Sequence, residues 1–118
     1  TITGCGRRLK DHDPSIKVIS ILPENFPGIE GLKPLENPTD IRPDILDESV
    51  IDEWVPVTAE DAYEMCHLMA RHGLFVGQSS GAYLAGVRKV ADKYRSGLCA
   101  TISCDIGERY FSAALWQQ

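Results

Sequence analysis

A chain of 118 residues with 43% apolar content is sized for one domain with a real core. Its net charge of −5, with 12 basic residues scattered in runs no longer than two, argues against a nucleic-acid or other polyanion partner. No apolar stretch approaches the length that crosses a bilayer, and no signal-peptide pattern opens the chain, so a cytoplasmic location is the expectation. The four cysteines (Cys5, Cys66, Cys99, Cys104) show no CxxC spacing and do not combine with the histidines, so they read as reduced and mostly buried, with no metal site.

In chain order, residues 1 to 10 fit a helix that Thr1 and Thr3 can cap, and Asp11-His12-Asp13-Pro14 stops it. Lys17 to Leu22 is a β-branched apolar run, expected as a buried strand. Residues 23 to 43 hold five of the seven prolines, too dense for a regular element. Such a stretch is either functional or a connection that hugs the surface. Glu53 to Val57 is a short strand, with Pro56 favouring an edge. Thr58 to Asp61 resembles a capping box, and Ala62, Met65, Cys66 and Met69 then form one apolar helical stripe ending before Gly73.

Leu74 to Val76 reads as a strand leading into Gly77-Gln78-Ser79-Ser80-Gly81, a tight turn at a helix mouth. A serine there is either an N-cap or a ligand contact, and flanking glycines let a ligand approach. The helix from Tyr83 to Tyr94 carries a stripe of Tyr83, Val87, Val90 and Tyr94. Cys99 to Ser103 reads as a further buried strand, running into a polar loop, Cys104 to Tyr110, and a short helix from Phe111 to Trp116. Alternating strands and helices imply an α/β fold with a mostly parallel sheet flanked by helices. The 77–81 turn and the 104–109 loop then lie at the same sheet end and can face one site.

Three motifs carry a family resemblance. Thr1-Ile2-Thr3-Gly4, Gly77-Gln78-Ser79-Ser80-Gly81 and Asp105-Ile106-Gly107-Glu108-Arg109-Tyr110 occur in order, with Ile29-Glu30-Gly31-Leu32 between the first two. Together they resemble the C-terminal part of the cysteine synthase (O-acetylserine sulfhydrylase) family, pyridoxal-phosphate enzymes of fold type II. Cystathionine β-synthase is a close relative of that family. Cys104 stands where proline is more usual and looks like the B-type enzymes, whereas Glu30-Gly31-Leu32 departs from the arginine-rich B form.

The resemblance implies that residues 1–118 are the C-terminal portion of a fold type II domain, as the opening without methionine also suggests. It implies pyridoxal 5′-phosphate as cofactor, an amino-acid substrate and sulfide, a homodimer, and serine acetyltransferase as a partner of some members. Thr1 would close the phosphate-binding loop, where N–H groups and a helix dipole suit a dianion. Ser79 would meet the pyridine nitrogen, with Cys104 and Asp105 near the same ring edge and Gly31 on the substrate side. The plain alternatives are a buried strand-end thiol for Cys104 and an ordinary turn glycine for Gly31. None of the lysines, at 10, 17, 33, 89 and 93, has the family's Schiff-base context, so no catalytic residue is expected here. Rival readings are a cystathionine β-synthase or a serine or threonine dehydratase of the same fold, or a non-catalytic binding domain.

Overall fold

The computed structural model describes residues 1–37 and 39–117; Pro38 of the proline-rich stretch and Gln118 at the end lie outside the described residues. The first helix, α1, spans Ile2–His12. Neither threonine caps it as expected. Thr1 occupies the N-cap position without a side-chain bond, and Thr3 Oγ1 accepts from the Asp47 N–H at 3.0 Å. Thr3 is buried, so its hydroxyl is committed to the neighbouring segment and not to its own helix end. Gly6 lets α1 close on a 3-10 turn at Glu48–Val50, since a Cβ at Gly6 would lie 3.0 Å from Val50 Cγ2.

Two parallel strands form the described sheet: β1 (Ile19–Pro23) and β2 (Glu53–Val57), with Ile19 opposite Glu53 and Pro23 opposite Val57. β1 starts two residues later than expected and is half-buried rather than buried along most of its length. Two further strand expectations are corrected. Val76 makes a single antiparallel bridge with Ile106, and 99–103 is exposed and outside any ladder among the described residues. A run of strand-forming residues becomes a strand only beside a partner edge, and none lies next to 99–103 in the described residues.

The helix α2 (Ala59–Arg71) begins in the expected capping box. Thr58 Oγ1 accepts from the Asp61 N–H, and Asp61 Oδ2 accepts from the Thr58 N–H, both at 3.1 Å. Glu24 adds a carboxylate at the same helix start by accepting from the Ala59 N–H. The helix ends in a Schellman arrangement: Gly73 has φ +85, its N–H reaches Ala70 O, and the Leu74 N–H reaches Met69 O. Ala62, Met65 and Cys66 are buried as expected, and Met69 is half-buried.

The helix α3 (Gln78–Tyr94) starts five residues before Tyr83, so Ser79 and Ser80 lie in its first turn and Gly77 takes the N-cap position. Its buried face is Ala82, Ala85, Gly86 and Val90; Tyr94 of the expected stripe is exposed. Small residues win this face because backbones approach closely there. A Cβ at Gly86 would run into Ile21 Cδ1 of β1, and one at Gly81 would meet the Ala62 carbonyl and lie 2.5 Å from Cys66 Sγ. The resulting core joins Val55, Val57, Ala62, Met65, Ala82 and Ala85. Of the four cysteines only Cys66 is buried; Cys5, Cys99 and Cys104 are exposed, against expectation.

Gly81→Ala overpacks the α2–α3 contact and is expected to cost about 1–3 kcal/mol. Thr58→Ala removes the capping box and is expected to cost about 1 kcal/mol. Urea unfolding checks both, as a lower midpoint with an unchanged slope.

Candidate functional site

The mouth of α3 is built by three segments that interlock. The strand-like approach Phe75–Val76 is tied to the loop after residue 104 by Gly107 N–H to Phe75 O at 3.1 Å and Gly77 N–H to Asp105 O at 3.2 Å. The Cys104 N–H donates to Ser80 Oγ at 2.9 Å. Gly77 is required for this closeness, because a Cβ there would strike the Asp105 carboxylate and lie 2.5 Å from Tyr110 Cε2. The 77–81 turn and the 104–109 loop therefore lie against one another.

The two serines have divided their work. Ser80 Oγ straps the 104 loop, while Ser79 Oγ, on a side chain that is 6% exposed, makes no hydrogen bond among the described residues. Neither serine is the N-cap. Ser79 faces the third segment: a Cβ built on Gly31 would lie 3.8 Å from Ser79 Cβ and 3.9 Å from Ser79 Oγ. Gly31 has φ +86 and is the third residue of the turn closed by the Leu32 N–H on Ile29 O, so it fits the ordinary turn glycine that the sequence also allowed. Ser79 lies in the first turn of α3, where backbone N–H groups lack helical partners and the helix dipole is positive.

Asp105 accepts from the Tyr110 hydroxyl at 2.7 Å through Oδ2, whereas its Oδ1 is buried without a partner against Gly77. Burial, then this bond, then the Asp105 charge push the Tyr110 phenol up to about 12, and the Glu30 charge contributes in the same direction. The start of α3 thus touches loop 28–32 through Gln78 and Ser79 and the 105–110 segment through Gly77. Cys66 donates to Gly77 O at 3.4 Å, and burial with the Asp105 charge raises its thiol to about 11, so it stays an inert thiol that packs.

Of the other expected site residues, Cys104 is exposed, which overturns the reading of a buried strand-end thiol. Burial first, and then Cys104, push the Tyr83 phenol above its ordinary value. Thr1 is exposed at the start of α1, and no side-chain hydrogen bond links it to Ser79 among the described residues. Lys10, Lys17, Lys89 and Lys93 are paired with Asp52, Asp61 or Glu53, and Lys33 is exposed. Among the described residues no cluster of His, Cys, Asp and Glu could hold a metal ion, and no helix is long and apolar enough to cross a membrane.

Sequence reasoning missed Gln78 and Tyr63. Gln78 is 3% exposed; its Oε1 accepts from the Glu30 N–H at 3.1 Å, and its Nε2 donates to the Tyr63 hydroxyl at 3.3 Å. Both line a cleft of about 450 Å³ between the 24–34 segment and the helices, which Ser79 does not line. A polar residue ahead of two serines was the available signal, and the serines drew the reading instead.

An interlocked loop, a free hydroxyl in the first turn of a helix and a glycine facing it thus lie together at the mouth of α3 in an α/β chain. The profile of the family described as "Pyridoxal-phosphate dependent enzyme" matches residues 1–105, and the chain belongs to that family. It is 43% identical to the cysteine synthase of Aquifex aeolicus, over 98% of this chain and 37% of that protein. It is 32% identical to cysteine synthase B of Escherichia coli, over 98% of this chain and 38% of that protein. The crystal structure of O-acetyl serine sulfhydrylase isoform 3 from Entamoeba histolytica superposes with a TM-score of 0.81 at 30% identity, covering 100% of this chain and 38% of that one. The chain thus spans less than two fifths of the length of these relatives. Its α/β architecture is the fold type II architecture of such enzymes. The residues fit the family's cofactor: Ser79 offers a hydroxyl with no partner among the described residues, and Gly31 leaves open the space that a side chain would fill.

Alkaline pH tests the packing of this site. Cys66 rises from an ordinary 9.0 to about 11, and Tyr110 from 10.0 to about 12. Both are neutral when protonated and hold protons more tightly in the folded state. Their contribution is complete below the unfolded values and is lost as pH rises through the folded ones. Urea unfolding is therefore expected to show stability falling above pH 9, with the upper part of the fall, between 10 and 12, reduced in Tyr110→Phe.

Proposed function

We propose that this chain is the C-terminal portion of a pyridoxal-phosphate-dependent cysteine synthase, which makes L-cysteine from O-acetylserine and sulfide by β-replacement. The observation that carries this reading is Ser79: a hydroxyl with no hydrogen-bond partner among the described residues, on a residue that is 6% exposed in the first turn of α3, opposite Gly31, with the 104–107 loop strapped to its neighbour Ser80. The relatives named above are cysteine synthases, which supports the choice within the family. The exposed Phe26, Ile41, Ile45 and Leu98 and the two-stranded sheet support a chain that packs against further structure.

Pyridoxal phosphate, when bound, withdraws electrons from the substrate α-carbon so that a β-substituent leaves and a nucleophile adds. In this proposal Ser79 Oγ–H donates to the pyridine nitrogen. A neutral hydroxyl orients the ring without protonating it, as a carboxylate partner would promote. The weaker electron withdrawal favours loss of the β-substituent over chemistry that needs a long-lived carbanion. Thr1 closes the phosphate loop ahead of α1, where the dipole suits the dianion. Cys104 and Asp105 line the ring edge, Asp105 through a carboxylate already oriented by Tyr110. Gly31 lets the 28–32 turn reach the substrate side. The Schiff-base lysine belongs to a segment outside residues 1–118, since four of the five lysines here are held by carboxylates. The protein works as a cytoplasmic homodimer, with serine acetyltransferase as a partner.

The test uses the full-length gene product with pyridoxal phosphate. It is expected to show the visible band of a lysine-bound cofactor and to turn over O-acetylserine with sulfide in preference to homocysteine. Ser79→Ala is expected to shift that band and to lower turnover about tenfold, the scale of one hydrogen bond to a charged or strongly polar partner. A preference for homocysteine would reassign the enzyme to cystathionine synthesis. No band at all would leave a non-catalytic binding domain.

A further inference from the structure

We infer that Gln78 is a positioning residue, pinning the 28–32 turn over the site so that Gly31 is in place before the amino-acid substrate arrives. The inference rests on the functional reading above and adds to it a residue that pre-forms the substrate side.

The turn is held at both ends and in the middle. Ile29 is 3% exposed and sits in the main core, and the Leu32 N–H reaches Ile29 O at 3.0 Å. Between them the Glu30 N–H has one described partner, Gln78 Oε1 at 3.1 Å. Gln78 is in turn fixed by Tyr63 of α2. Gln78 and Ser79 are consecutive in the first turn of α3, so the residue that grips Glu30 and the residue that faces Gly31 are carried by the same rigid element. Gly31, with φ +86, gains no order from its own side chain, so its position depends on its neighbours' bonds.

A glutamine suits the role chemically. Its amide accepts from a backbone N–H and donates to a phenol at once, which no apolar side chain does. Gln78→Met keeps the shape and loses both contacts. Gln78→Glu keeps both: ionised, it accepts from Glu30 and from the Tyr63 O–H; protonated, it accepts from one and donates to the other. If the turn is unpinned, only a fraction of molecules presents a formed substrate side. Apparent binding then weakens by that fraction, with the chemical step unchanged.

Full-length protein carrying Gln78→Met is expected to raise KM for O-acetylserine about three- to tenfold, the scale of one lost hydrogen bond, with kcat within about twofold. Amide exchange at Glu30 is expected to accelerate in the same variant, and Gln78→Glu is expected to restore both readouts. An unchanged KM and a still-protected Glu30 amide in Gln78→Met, with the unmutated enzyme active, would overturn this inference and leave the functional reading standing. A fall in kcat with unchanged Glu30 exchange would overturn it too. An unmutated protein that neither binds the cofactor nor turns over substrate would sink the functional reading and this inference together. Should Gln78→Met not fold, Tyr63→Phe reads the same latch: faster Glu30 exchange and a smaller rise in KM are expected, and wild-type exchange would contradict the inference.

Discussion

The close approach at Gly77 is the constraint on which the site depends. The Asp105 carboxylate and the Tyr110 ring occupy the space a side chain would need, and the Gly77 N–H is spent on Asp105 O. From that contact follow the position of α3, whose N-cap is Gly77, and the position of the 104–107 loop, strapped again through Ser80. Gly77 O also accepts from Cys66, which ties α2 to the same point. One residue without a side chain thus sets three elements relative to one another. It leaves Ser79 as the hydroxyl with nothing internal to bind.

This arrangement separates support from function along a few residues of one helix. Ser80 and Gly81 look inward, one to the 104 loop and the other against Ala62 and Cys66. Gln78 and Ser79 look toward the 28–32 turn. The hydrogen-bonded phenol of Tyr110 keeps the half-buried Asp105 oriented, with its buried Oδ1 unpartnered among the described residues. Surface ion pairs such as Arg88–Glu64 and Lys93–Glu53 add little to this, being half-exposed and screened.

The sequence made the helices legible because each has a local physical cause. The capping box at Thr58, the glycine stop at Gly73 and the apolar stripe of α2 act within one or two turns of chain. The two glycines around the serine pair were read as room for a ligand, but Asp105 and Tyr110 take that room at Gly77, and Ala62 and Cys66 take it at Gly81. The strands were less legible. Runs such as 99–103 carry strand-forming residues, but pairing depends on a neighbour that local pattern does not encode. The α3 face was misread for a similar reason: Tyr83 and Val87 are larger, yet Ala82, Ala85 and Gly86 are buried because β1 and α2 come too close for anything bigger. Gln78 was overlooked because a buried amide is identified by its partners, Glu30 and Tyr63, which lie 48 and 15 residues away.

The most direct measurement is a crystal structure of the full-length protein with pyridoxal phosphate bound. The account predicts Ser79 Oγ at about 3 Å from the pyridine nitrogen, within the range of a hydrogen bond. A ring nitrogen facing another group, or held beyond contact with Ser79, would contradict it.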